Sequence, residues 1–244
     1  MFAMRRPPAR PLVIGHRGAK GHAPENTLSA FRTGSRLGAG LVECDVHMSR
    51  DGHLVVFHDD LLDRTTDGRG WLKDHDLADL ARLDAGDGER IPTLDALLEF
   101  VAANPPLGVV IEIKNGPMFY ERIDRAVADA IARHDLVERS VVISFDHLVI
   151  RELKRRLPGV ATGILYYARL ADPVQAAWAA LAESIWPALP MVTPGLVAQA
   201  HEAGLAVFTW TANSPEDFDR ALEAGVDGVG TDFPDRLLSS LEKL

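Results

Sequence analysis

The stretch LVAQAHEAGLAVFTWTANSPEDFDRALEAGVDGVG, from Leu196 to Gly230, lays out one repeating unit of this chain. Leu196–Ala203 has helical period, Ala206–Trp210 is a short β-rich apolar run, Pro215–Ala224 is helical again, and Val226–Gly230 is a second apolar run. Gly204 and Gly225 each follow a helix and precede a strand, where a residue of positive φ closes the last turn. Strand, helix and strand in this order imply parallel pairing through right-handed crossovers.

The alternation continues toward the N-terminus. Apolar runs recur at Leu12–Gly15, Leu41–Val46, Leu54–Phe57, Val109–Ile113, Val141–Phe145, Thr162–Tyr166 and Ser184–Trp186. Between them lie helix-forming segments at Thr93–Ala103, Phe119–His134, Val149–Leu157 and Val174–Glu183, and Asn26 or Thr27 is placed to cap a helix beginning near Leu28. With 244 residues, close to the roughly 250 of an eight-stranded β/α barrel, the expected fold is α/β: a (β/α)8 TIM barrel, a single domain over 1–244. A doubly wound sheet is the runner-up, but its phosphate turn reads Gly15-His16-Arg17-Gly18 rather than G-x-G-x-x-G.

Nine runs are one more than a barrel needs. Asp51-Gly52 between Leu41–Val46 and Leu54–Phe57 signals a two-residue hairpin loop, so the third run is expected to fold back antiparallel on the second. That loop pairs Arg50 with His53, Met48 with Val55 and Asp45 with His58. Residues 59–92 then form a small insertion after the second strand region, too long for an ordinary loop. It has a helix near Leu77–Leu83 and is either a structural subdomain or a cap beside a site.

The composition narrows the function. With 26 Lys+Arg against 35 Asp+Glu, a net charge of −9 and 47% hydrophobic residues, the chain is neither disordered nor suited to broad contact with nucleic acid or an anionic membrane. A local site for a small anion stays open. Cys44 is the single cysteine, so no intrachain disulfide or cysteine-zinc cluster forms. Met1–Pro8 lacks the apolar core of a secretory leader, and no window approaches the about 20 apolar residues of a membrane span. A cytoplasmic protein without stable membrane insertion is expected; the oligomeric state is not set.

Chemistry concentrates on two strands. In Glu43-Cys44-Asp45 the carboxylates project to one side and Cys44 to the other. An exposed polar strand face would do this too, but in a parallel barrel the inward face is packed interior. In Glu112-Ile113-Lys114 a second acidic residue stands on a strand otherwise built of Val109, Val110, Ile111 and Ile113. Glu112 is either half of a structural Glu–Lys pair or the third member of a cluster with Glu43 and Asp45. Three oxygen donors without thiolate suit Mg²⁺ or Ca²⁺. His16 and His58 close two strand runs and suit a general acid and base pair; His47 shares the face of Glu43 and Asp45 but reads as a polar contact. Arg17 and Lys114 beside the acidic residues suggest a shared anion, such as a phosphodiester. Phe145, Tyr166 and Trp186 end strands, where they line a pocket or fill the upper core.

The ordered set His16-Arg17-Gly18, Pro24-Glu25-Asn26-Thr27, Glu43-x-Asp45-Val46, Asp51-Gly52, His58-Asp59, Arg64-Thr65-Thr66, Glu112-Ile113-Lys114, Trp210-Thr211 and Thr231-Asp232 resembles the glycerophosphodiester phosphodiesterase family in its compact bacterial form, from about Leu12 to Leu237. The resemblance implies divalent-metal-dependent hydrolysis of glycerophosphodiesters to sn-glycerol 3-phosphate and an alcohol. It implies His16 and His58 as acid/base pair, Glu43, Asp45 and Glu112 as metal ligands, Arg17 and Lys114 as phosphate contacts, and Trp210 as an aromatic wall near the glycerol. Three other readings compete: a lysophospholipase D or phospholipase C-like enzyme, for which no strong apolar rim is visible; a metal-dependent amidohydrolase, which usually begins with His-x-His; and a non-catalytic glycerophosphodiester-binding protein.

Overall fold

The computed structural model describes residues 11–242; Met1–Pro8, read above for a leader, lies outside them. Eight strands close a barrel: β1 (Leu12–Gly15), β2 (Leu41–Met48), β4 (Gly108–Ile113), β5 (Ser140–Ser144), β6 (Ala161–Tyr166), β7 (Ser184–Pro187), β8 (Ala206–Thr209) and β9 (Gly228–Thr231). Each is parallel to its neighbours, and β1 pairs with both β9 and β2, which completes the ring. β3 (Leu54–Val56) lies outside the ring, antiparallel on β2. The eight-stranded barrel and the extra hairpin strand are as expected.

The helices wrap the barrel: α1 (Leu28–Arg36), α3 (Leu94–Ala103), α4 (Ile123–Arg133), α5 (His147–Arg156), α6 (Pro173–Ala179), α7 (Pro194–Glu202), α8 (Pro215–Ala224) and α9 (Pro234–Leu241), with the short α2 (Leu77–Leu80) in the insertion. Their buried faces and the outward side chains of the strands, Cys44 and Ile111 among them, form one apolar layer. Inside the ring a second cluster includes Ile14, Leu41, Val110, Ile143, Leu165 and Phe208. Trp186 stacks on Phe208 at 4.4 Å. The indole fits only because residue 163 is glycine, since a Cβ there would fall 2.2 Å from Trp186 Nε1.

Several local expectations are corrected. The hairpin register is one residue off: Val46 pairs with Val56, His47 with Val55 and Met48 with Leu54. Of Asp51 and Gly52 only Gly52 takes positive φ, at +85°, whereas a two-residue type I′ loop needs both. Ser49 N–H instead donates to His53 O and Gly52 N–H to Ser49 O, closing a three-residue loop over Arg50-Asp51-Gly52. Phe57, not His58, therefore bonds to Asp45, its N–H donating to Asp45 O at 2.9 Å. Thr27 caps α1, accepting from Ala30 N–H. α4 starts at Ile123 rather than Phe119, because Arg122 sits at φ +64° and breaks the helix there. α6 stops at Ala179, short of Glu183. In the insertion the helix spans Leu77–Leu80 only, and Phe57, Leu62, Leu72, Leu80 and Ile91 share a separate apolar cluster.

Candidate active site

Register brings the acidic residues together. Along the parallel pair β2 and β4, Glu43 stands opposite Val110 and Asp45 opposite Glu112. Both strands alternate, so Glu43, Asp45 and Glu112 all point inward above Leu41 and Val110. Ligand oxygens of the three lie within 4.8 Å of one another, and Asp45 is 1% exposed. Lys114 Nζ donates to Glu112 Oε1 at 2.9 Å and approaches Asp45 Oδ1 at 3.6 Å. The Glu–Lys pair and the acidic cluster thus coexist.

The turn after β1 supplies the facing cation. Arg17 takes φ +49°, Gly18 takes φ +90°, and the Arg17 backbone N–H donates to Glu43 Oε2 at 2.8 Å. The Arg17 guanidinium donates through Nη1 to Glu25 Oε1 at 2.6 Å and lies 3.4 Å from Asp45 Oδ2 through Nε. Nε is buried without a hydrogen-bond partner. Asn26, read as a possible cap, instead donates to Asp45 Oδ2 at 2.8 Å.

The two histidines arrive by separate routes. Gly15 pairs with Thr231 where β1 meets β9, so the residues just beyond, His16 and Asp232, meet: His16 Nδ1 is 2.6 Å from Asp232 Oδ1, and Asn213 holds Oδ2. His58 follows the hairpin strand, with Nδ1 2.5 Å from Asp59 Oδ1. With each Nδ1–H donated to a carboxylate, Nε2 is the nitrogen left to exchange a proton. His47 is buried beneath His58, donating through Nε2 to the His58 carbonyl and accepting at Nδ1 from Tyr120 Oη. It is a polar contact, as read, and the prop under the His58 backbone.

Charge is unbalanced here. Burial, then Asp45 and Glu112, push the Glu43 carboxyl well above the usual range, and burial also raises Glu112. Burial opposes ionisation of Asp45 too, but Lys114 and Arg17 hold it below the ordinary carboxylate value. Burial and the nearby cations Lys114 and Arg17 lower His58, against the pull of Asp45. Three carboxylates confront two cations, and a hard divalent ion fits both the donor set and the excess charge.

Opposite the charged wall stands an aromatic one. Phe145, Trp186 and Trp210 line the same pocket as His16, His58 and Lys114. Phe145 meets Trp210 edge-on at 5.6 Å, and Trp210 Nε1–H donates to the Trp186 carbonyl. Tyr166 is not part of it, packing instead in the outer apolar layer. Asp59, Asp232, Glu25 and Arg64 stand within motifs quoted above but carried no role there. The signal for the first two was their position directly beside a strand-end histidine or strand end.

The profile of the Glycerophosphoryl diester phosphodiesterase family matches residues 16–236. The chain is 40% identical over 239 residues to the glycerophosphodiester phosphodiesterase of Caldanaerobacter subterraneus subsp. tengcongensis, covering 95% of this chain and 98% of that one. It superposes on an Oleispira antarctica phosphodiesterase solved with its product sn-glycerol-3-phosphate, with a TM-score of 0.89, 30% identity, and coverage of 95% and 97%. A Thermotoga maritima glycerophosphodiester phosphodiesterase superposes with a TM-score of 0.73 at 28% identity, covering 94% and 98%. Fold and relatives define a β/α-barrel hydrolase acting on phosphodiesters. The chain belongs to the glycerophosphoryl diester phosphodiesterase family.

Proposed function

We propose that this enzyme hydrolyses glycerophosphodiesters to sn-glycerol 3-phosphate and an alcohol, using Mg²⁺ or Ca²⁺ held by Glu43, Asp45 and Glu112. The observation that carries this reading is the convergence of two carboxylate-backed histidines, an acidic triad, Arg17 and Lys114 around one pocket. A divalent ion held by these three carboxylates would supply Lewis-acid chemistry at the phosphoryl group.

Arg17 and Lys114 bind the phosphodiester oxygens and stabilise the charge that builds on them during attack. Trp210, with Phe145 and Trp186, provides the face against which the glycerol carbons rest. One histidine Nε2 takes the proton of the nucleophile, the neighbouring glycerol hydroxyl or a water, and the other Nε2 delivers a proton to the departing alcohol. Where the glycerol hydroxyl attacks, water then opens the resulting cyclic phosphate with the two histidine roles reversed. Asp59 and Asp232 accept from Nδ1–H throughout, so Nε2 takes up a proton in the histidine that acts as base and gives one up in the doubly protonated histidine that acts as acid. Cys44 is a thiol buried in the outer layer and pushed up by burial, a packing residue with no part in the reaction. Among the described residues no helix is long and apolar enough to cross a membrane.

The test is release of glycerol 3-phosphate from glycerophosphocholine and glycerophosphoethanolamine with Mg²⁺, Ca²⁺ or a chelator. Release that a chelator abolishes, and that falls by about 10²–10⁴-fold in His16→Ala and His58→Ala, is expected. No release under any condition would overturn the reading.

A second reading gains support from an apolar rim the sequence did not display. Phe119, Phe145, Leu148 and Tyr167 are exposed in the segments after β4, β5 and β6. Phe145 is shared between the pocket and a groove running along Lys114, Gly116 and Phe119. A lysophospholipid with its phosphodiester in the pocket would rest its acyl chain there. If so, Phe119→Ser lowers kcat/KM for lysophosphatidylcholine but not for glycerophosphocholine; equal effects on both would exclude it.

A further inference from the structure

The insertion sends one arginine to two carboxylates at the margin of the site. Arg64 closes the short turn Leu62–Arg64, and the hydrogen bonds of its guanidinium run to two carboxylates. Nε donates to Asp59 Oδ2 at 2.5 Å, Nη1 to Glu25 Oε2 at 3.1 Å, and Nη2 to both Asp59 Oδ1 at 3.0 Å and Glu25 Oε1 at 2.7 Å. The two oxygens sharing Nη2 are the ones that hold the site. Asp59 Oδ1 receives His58 Nδ1, and Glu25 Oε1 receives Arg17 Nη1.

The result is an unbroken hydrogen-bonded chain from one proposed functional group to the other: His58, Asp59, Arg64, Glu25, Arg17. Glu25 is 10% exposed and Arg17 11%, whereas Arg64 is 48% exposed, so the clamp closes over the site from its solvent side. A planar guanidinium with donors in a fixed fork can grip two carboxylates at once; an ammonium cannot reproduce that geometry. Without Arg64, Asp59 and Glu25 would face each other as like charges, each free to turn away from the group it holds.

We propose that Arg64 is a positioning residue, which locks the orientation of the His58 imidazole and of the Arg17 guanidinium through Asp59 and Glu25, and thereby makes activity depend on the insertion. The inference rests on the roles proposed for His58 and Arg17, and on no ion.

The test compares wild type with Arg64→Ala and Arg64→Lys. Turnover of glycerophosphocholine by wild type is measured first; its failure would count against the proposed function and not against this clamp. With wild type active, Arg64→Ala is expected to lose about 10–100-fold in kcat, the scale of removing a supporting partner around a metal site. Added millimolar guanidinium is expected to restore part of it, and Arg64→Lys to stay impaired. Independently of turnover, the Nδ1 proton of the His58–Asp59 bond, expected at low field in the wild-type NMR spectrum, should move upfield or vanish in Arg64→Ala. A kcat within about twofold of wild type with that resonance unmoved would overturn the proposal. So would a loss of kcat that guanidinium does not reverse while the resonance stays in place.

Discussion

Asp232 and Asp59 each accept from a histidine Nδ1, which in the proposed reaction leaves Nε2 of His16 and His58 as the exchanging nitrogen. Asp232→Asn offers His16 an amide that can donate as well as accept, so kcat should fall about 10²-fold or more with a small change in KM. Steady-state kinetics on glycerophosphocholine check this; an unchanged kcat would remove Asp232 from the reaction. Asp59 has a second consequence. Burial works to raise its carboxyl, but the bonds from Arg64 and His58 outweigh burial and hold it at about 2. That lies below the unfolded value of about 3.9, so the ionised form contributes stability that is fully present above the unfolded value and lost as pH falls toward 2. In acid titrations followed by circular dichroism, Asp59→Asn should lose less stability than wild type through that window.

At the scale of elements, the turn between β1 and α1 is the most constrained part of the site. Gly18 combines φ +90° with a backbone so close to α1 that a Cβ would stand 2.5 Å from the Ala30 carbonyl carbon. Its N–H donates to Gly15 O and Glu43 O, tying the Arg17 turn to β2. Gly18→Ala should cost at least about 1–2 kcal/mol for the left-handed backbone alone, with the clash in addition, and should lower kcat by displacing Arg17. Urea unfolding and turnover measured on the same variant check it; a stability within experimental error of wild type would show that the turn can relax. The β2–β3 hairpin was half legible. Its existence and antiparallel sense follow from Asp51-Gly52 between two apolar runs. Its register turned on which residues take positive φ, and Ser49 and Asp51 satisfy the loop with side-chain bonds that pattern alone does not reveal.

For the molecule as a whole, the acidic triad is a deliberate imbalance at the centre of the barrel. Folding without an added cation must accommodate Glu43 and Glu112 with raised carboxyls. Mg²⁺ or Ca²⁺ at 100 times its Kd should therefore stabilise the fold by about 2.7 kcal/mol, seen as a rise in Tm that a chelator reverses and Glu43→Gln abolishes. No shift with either ion would contradict the proposed ligand set. The net charge of −9 describes the surface and says little about this interior.

By itself the sequence determined the alternation of strands and helices, the barrel they close, and the residues that share a face within one strand, because a strand's period of two and a helix's period of 3.6 are local properties of the backbone. Glu43 beside Asp45, and Glu112 beside Lys114, were legible for that reason. Only the tertiary structure decided what meets across strands. The register of β2 on β4 sets Asp45 against Glu112, and that of β1 on β9 brings Asp232 to His16. Arg64 reaches Glu25 from 39 residues away, and Phe119 and Phe145 line one groove although no contiguous run announces them. Such contacts depend on barrel closure, on strand register and on a few left-handed turns, and no local period records them.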